Sequence, residues 1–189
     1  MTAKKTTALG PYNRYVIWVQ GCNKNCAGCI SIDSRPLDGG YGISIYDLVD
    51  DIINTSEIEG ITISGGEPYL QSEALVRLIL EIKKIKDLGI ILYTGFNFSE
   101  IEENVLTNLC DLIIDGEYIE ELNDDLSLRG SSNQRLWFIS DRYKDEAPKA
   151  YGVKGRKVEI QINNERTSMI GIPGKEFLKA IEHDKGGKK

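Results

Sequence analysis

Three of the chain's four cysteines fall inside the stretch GCNKNCAGCIS, residues 21–31, as Cys22, Cys26 and Cys29. Their spacing, C-x3-C-x2-C, is short enough for one loop to wrap a single inorganic centre. Three thiolates do not complete a structural zinc site, which takes four ligands. The remaining candidates for a fourth are Cys110 and His183. Cys110 follows the apolar positions of an amphipathic helix and reads as a small buried hydrophobe; His183 stands beside a polar tail. A four-iron, four-sulfur cluster on three thiolates leaves its fourth iron open to a ligand from outside the protein. With one histidine in the chain and no nucleophilic triad, hydrolytic chemistry is disfavoured.

A second candidate is GGEP, residues 65–68. Alone it is a turn signal. Placed after a strand and before a helix it means more, because two glycines let backbone groups approach a ligand and parallel sheets place their sites at the carboxyl ends of strands. Glu67 reads either as a solvated loop residue or as a carboxylate that orders the site.

The elements that must position these loops are legible as apolar runs. YVIWVQ (15–20) is a buried-strand pattern that delivers the chain to Gly21 and Cys22, and GITIS (60–64) delivers it to GGEP. IILY ending at Tyr93, DLIID ending at Asp115 and LWFIS (136–140) are further strands. Between them, Ser44 caps a helix with Ile45, Leu48, Val49, Ile52 and Ile53 on one face, and Leu75, Leu78, Ile79, Ile82 and Ile85 form the face of a second. A third helix is expected with Ser99 and Glu102 as capping box and Ile101, Val105 and Leu109 inward. Strands alternating with helices argue for a parallel sheet, and the chain is shorter than the ~250 residues of a complete eight-unit barrel. The expectation is α/β, a partial open (β/α) barrel. Beyond residue 141, KVEIQI, the turn NNER and TSMIGIP read as a β-hairpin with Val158, Ile160 and Ile162 on one face, followed by a short helix over 175–182.

At 189 residues the chain suits one domain, with a core at 15–140, an extension at 141–183 and a flexible tail at 184–189. A net charge of -6 argues against a nucleic-acid partner. No apolar run has the length of a signal peptide core or membrane span, so a cytoplasmic protein with no membrane partner is expected, and clustered cysteines there point to metal or redox chemistry.

The array after a first strand and GGEP after a second resemble the radical S-adenosylmethionine (SAM) superfamily. The resemblance narrows, through VIWVQGC, CAGC, GITISGGEPYLQ, YTGF, DLIIDGEYIEEL and above all LRGSSNQR (128–135), to the activating proteins of anaerobic ribonucleoside-triphosphate reductase and their single-cluster relatives. It implies a [4Fe-4S] cluster on Cys22, Cys26 and Cys29 with SAM as second cofactor, contacted around Gly28, Cys29, Ile30, Gly65, Gly66, Glu67 and Thr94, with Asn133 and Arg135 as further polar contacts. It implies reductive cleavage of SAM to a 5'-deoxyadenosyl radical, with no side chain needed as acid or base, and a flavodoxin or ferredoxin type electron donor. The substrate would be a glycine of a large glycyl-radical enzyme such as the reductase; the alternative is another protein, peptide or small molecule.

The chain departs from that pattern in three places. Ile30 follows the last cysteine where such activases carry an aromatic, histidine or polar residue. GPYNR (10–14) replaces a tighter Gly-Pro-Gly turn before the retained Arg14. The extension lengthens the chain, and residues 141–174 are expected either to shape the partner surface or, as a hairpin, to close the core.

Overall fold

The computed structural model describes residues 1–150, 153–162, 167–177 and 180. A six-stranded sheet runs in the order β1 (Thr2–Thr6), β2 (Arg14–Val19), β3 (Gly60–Gly65), β4 (Gly89–Tyr93), β5 (Leu112–Asp115) and β6 (Arg135–Phe138). The four central strands, β2 to β5, are mutually parallel, whereas β1 and β6 pair antiparallel at the edges. Among the described residues no helix is long and apolar enough to cross a membrane.

Strand alternation divides the core in two. Tyr15, Ile17, Ile61, Ile63, Ile90, Leu92 and Ile113 face α1 (Ile45–Ile53), α2 (Ser72–Lys83) and α4 (Val105–Leu109), meeting Leu48, Ile52, Leu75, Ile79, Ile82 and Leu106. The alternate residues face the other way: Val16, Ile91, Leu112 and Ile114 are covered by Leu9, Leu128, Tyr143, Ala147 and Ile170. The extension therefore helps to close the second face of the sheet.

Arg14 lies on that second face, wholly buried at the start of β2. Its guanidinium donates to Thr62 Oγ1 (2.5 Å), Tyr143 Oη (2.8 Å) and the carbonyls of Ile61 (2.6 Å) and Gly89 (3.0 Å). Burial lowers its pKa, an effect Tyr143 opposes. One side chain thus ties β2, β3, β4 and the segment after β6 together.

Several expectations are corrected. β1 has no apolar run; only Ala3 and Thr6 are buried in it. β6 is antiparallel because residues 116–134 carry no α-helix to bring the chain back parallel. The expected helix over 99–109 is two short ones, α3 (Phe98–Ile101) and α4, with separate caps at Asn97 and Asn104. The capping box is Asn97 with Glu100, not Ser99 with Glu102, and Val105 is exposed while Leu106 is buried. Ile85 lies beyond the end of α2 and is exposed.

After α5 (Ala147–Ala150), β7 (Val158–Ile162) and β8 (Thr167–Gly171) pair antiparallel as the expected hairpin. Its inward groups are Ile170 and, paired with it, Glu159, which accepts from Thr7 N and Oγ1 (2.9 and 3.0 Å), while Ile160 and Ile162 face solvent. Residues 175–177 are helical. The NNER turn, His183, the tail and the far end of the expected last helix lie outside the described residues.

Candidate functional site

The loop carrying the cysteines leaves β2 and is closed at its ends by two backbone bonds: Gly21 N donates to Ser34 O and Cys22 N to Arg35 O, both 2.9 Å. GGEP leaves the neighbouring strand and bonds to the same place, Gly66 N to Val19 O (2.8 Å) and Glu67 N to Gly21 O (2.7 Å). Two sequence-distant loops are thereby joined into one floor. Gly65 has φ +107, and a Cβ on Gly66 would stand 2.1 Å from Gly21 O. The need for glycine at 66 thus arises first from packing against the cysteine loop.

Glu67 is buried rather than solvated. Its Oε1 accepts from Tyr69 N (3.1 Å) and Thr94 Oγ1 (2.8 Å), and its Oε2 from Gly95 N (2.8 Å). Burial raises its pKa, and these hydrogen bonds pull the other way. Glu67 therefore brackets the loop after β3 to the loop after β4. Thr94 Oγ1 in turn accepts from Phe96 N (3.1 Å).

Cys22, Cys26 and Cys29 line one cleft, together with Gly28, Ile30, Gly65, Gly66, Glu67 and Thr94. All three thiols are partly exposed. Cys22 Sγ accepts from Lys24 N (3.4 Å), and Glu117 Oε2 lies 3.8 Å from Cys26 Sγ. Lys24 Nζ stands 3.4 Å from Glu117 Oε1 and 4.2 Å from the Phe96 ring centre. Burial pushes the Cys22 and Cys26 thiols up. Gly28 adopts φ +69, and a Cβ there would meet Glu120 Oε2 at 2.9 Å, so the turn before Cys29 requires glycine.

Cys110 sits in the helix-side core, donates to Leu106 O (3.2 Å) and has its pKa pushed up to about 12 by burial. It is not part of the cleft. Among the described residues no three of His, Cys, Asp and Glu gather closely enough for one metal ion. Three thiols spread along one closed loop suit instead a cluster in which each thiolate takes a different iron. Tyr93 also lines the cleft, and its hydroxyl is buried without a hydrogen-bond partner among the described residues.

Asn133 and Arg135 are not brought to the cleft. Asn133 Nδ2 donates to Glu117 O (2.8 Å), and Arg135, largely exposed, pairs with Asp115 at 3.3 Å. Gln134 between them does line it; its side chain accepts from Gly130 N (2.8 Å) and donates to Gly116 O (2.7 Å). Further lining residues not anticipated are Tyr118, Gly130, Arg156, Ile172 and Pro173. Tyr118 lies in DLIIDGEYIEEL and Gly130 and Gln134 in LRGSSNQR, segments that carried the resemblance, whereas no motif marked Arg156.

A family model described as a 4Fe-4S single cluster domain matches residues 8–137. The chain is 33% identical over 137 residues to the anaerobic ribonucleoside-triphosphate reductase-activating protein of Enterobacteria phage T4, covering 70% of this chain and 88% of that protein. The protein of that name from Vibrio cholerae is 31% identical over 138 residues, 66% of this chain and 87% of its own length. A pyruvate formate-lyase-activating enzyme of Listeria monocytogenes is 35% identical over 75 residues, 37% of this chain and 30% of that enzyme.

Proposed function

The chain belongs to the family of 4Fe-4S single cluster domains, and on that footing we propose that it is a radical SAM activase that installs a glycyl radical on a partner enzyme such as an anaerobic ribonucleotide reductase. The observation that carries the reading is the convergence of Cys22, Cys26 and Cys29 with the GGEP loop on one cleft at the carboxyl ends of parallel strands. Relatives named as activating proteins support the partner class. The sheet fits a partial, open barrel of the radical SAM type on a single domain, its edge strands β1 and β6 left unjoined to each other.

Cys22, Cys26 and Cys29 would hold the cluster, on a loop whose ends are tied by the Gly21 and Cys22 backbone bonds. Held by these thiolates, the cluster would supply the one-electron reducing chemistry that SAM cleavage and hydrogen-atom abstraction require, drawing on a flavodoxin or ferredoxin type donor. Everything else asked of the chain is positioning. Gly65 and Gly66 present backbone to the ligand, and Glu67, saturated by Tyr69, Thr94 and Gly95, keeps that backbone in place. Gly28 and Ile30 line the cleft beside Cys29. Of the polar residues that end LRGSSNQR, Gln134 lines the cleft, and the polar contact expected of Asn133 and Arg135 is proposed for it.

The test is anaerobic reconstitution with iron and sulfide, then assay of 5'-deoxyadenosine with and without a candidate reductase. The expected result is a glycyl-radical doublet in electron paramagnetic resonance, lost when the target glycine is changed to alanine. 5'-Deoxyadenosine formed with a peptide or small molecule as hydrogen donor, and no radical on any reductase, would transfer the reading to a single-cluster modifying enzyme.

A further inference from the structure

The family match ends at residue 137, yet the cleft does not. Arg156, Ile172 and Pro173, all from the extension, line it together with the cysteine loop's own residues. Arg156 is the link. Its Nε donates to Leu126 O (2.9 Å), its Nη1 to Pro173 O (3.1 Å), and its Nη2 to Arg129 O (2.8 Å) and Gly130 O (2.9 Å). A planar guanidinium reaches several carbonyls at fixed angles, which a lysine ammonium does not reproduce.

The carbonyls it gathers belong to residues 126–130, which run into LRGSSNQR, and to Pro173 after β8. Other bonds dock residues 125–127 on the extension: Ser127 N donates to Val153 O (3.1 Å), and Lys175 N to Asp125 Oδ1 (3.0 Å). Gly130 packs so closely on Tyr118 that an added Cβ would lie 2.8 Å from its ring. Displacing residues 126–130 would therefore disturb Tyr118, Gly130 and Gln134 together, three of the residues that line the cleft.

We infer that Arg156 is a positioning residue for the cofactor cleft: it locks residues 126–130 to the extension, so that the extension forms a wall of the SAM site and not only a surface for the partner. This rests on the reading of the cleft as a SAM site, and the experiment separates the two. Arg156→Ala and Arg156→Lys are reconstituted beside the wild type, and three quantities are measured: iron and sulfide content, SAM affinity by equilibrium dialysis, and amide hydrogen exchange.

Arg156→Ala is expected to keep its cluster, to exchange faster at the Ser127 and Gly130 amides with β3 and β4 unchanged, and to bind SAM about tenfold more weakly, the scale of one hydrogen-bonded support lost. Arg156→Lys is expected to recover little of either, since charge without the fork does not hold four carbonyls. Unchanged exchange at Ser127 and Gly130, equal affinity for SAM, or full rescue by lysine would each overturn the inference. If the wild type with an intact cluster binds no SAM, the SAM site and the wall role fall together; altered exchange confined to 126–130 would then show only that the lock exists.

Discussion

Replacing Thr94 by valine removes one hydroxyl while keeping the side chain's branched shape. Thr94 Oγ1 donates to Glu67 Oε1 at 2.8 Å and accepts from Phe96 N at 3.1 Å, in a position only 5% exposed. A hydrogen bond to a charged group contributes about 1.5–3 kcal/mol and a neutral one about 0.5–1.5 kcal/mol. Their joint loss destabilises the protein by about 3 kcal/mol, a large share of the ~5–15 kcal/mol of a typical domain. With a urea slope of ~2 kcal/mol per molar, the unfolding midpoint falls by about 1.5 M. The assay is equilibrium urea unfolding of the reduced, cluster-free chain at pH 7. Thr94→Ser keeps both bonds and is expected to lose only about 1 kcal/mol for its missing methyl. The pH dependence has a definite sign. Burial raises Glu67 above the ordinary carboxylate range, so its contribution favours the folded state at low pH and is lost as pH rises through the folded pKa. The valine variant removes a bond that supports the anion, so its deficit is largest above that pKa and narrows as the pH falls below it. A valine variant within about 0.5 kcal/mol of wild type, or a serine variant as weak as valine, would refute the bracket.

Single alanine replacements of Cys22, Cys26 and Cys29 should each abolish iron retention after reconstitution, whereas Cys110→Ala should keep full iron and lose only about 1–2 kcal/mol in urea unfolding, as a small buried group does. Loss of iron in the Cys110 variant would defeat the three-thiol reading. Gly66→Ala should lower cluster occupancy as well as SAM affinity, because its methyl meets the Gly21 carbonyl at the root of the cysteine loop; normal iron content in that variant would detach the two loops. Gly28→Ala, strained by φ +69 and crowded by Glu120, should reduce cluster stability about tenfold, read as the rate of iron release to a chelator.

What could be read from the sequence was what covalent proximity or local periodicity decides. The three cysteines need only one another's spacing, and β2 to β5 are apolar runs that pack on both faces, so their limits follow to within a residue or so. β1 escaped because an edge strand with Lys4 and Lys5 turned outward has no such run. The helix after β4 was drawn too long because Ile101, Val105 and Leu109 keep a four-residue spacing that Asn104, by capping a new helix, interrupts.

The wall of the cleft is a different kind of object. Gln134 lines the cleft while Asn133 turns to Glu117 and Arg135 to Asp115, and nothing in LRGSSNQR alone sets which of three adjacent polar residues does so. That choice is made by β6 running antiparallel to β5, with Arg135 opposite Asp115; a register one residue different would present the neighbours instead. The same holds more strongly for Arg156, which reaches the cleft through carbonyls 26 to 30 residues away in sequence. Since every acceptor it uses is backbone, no pairing of side-chain types marks the contact. A residue of this kind is found from where the chain folds back, and its conservative replacement by lysine is the change that distinguishes a shaped donor from a mere positive charge.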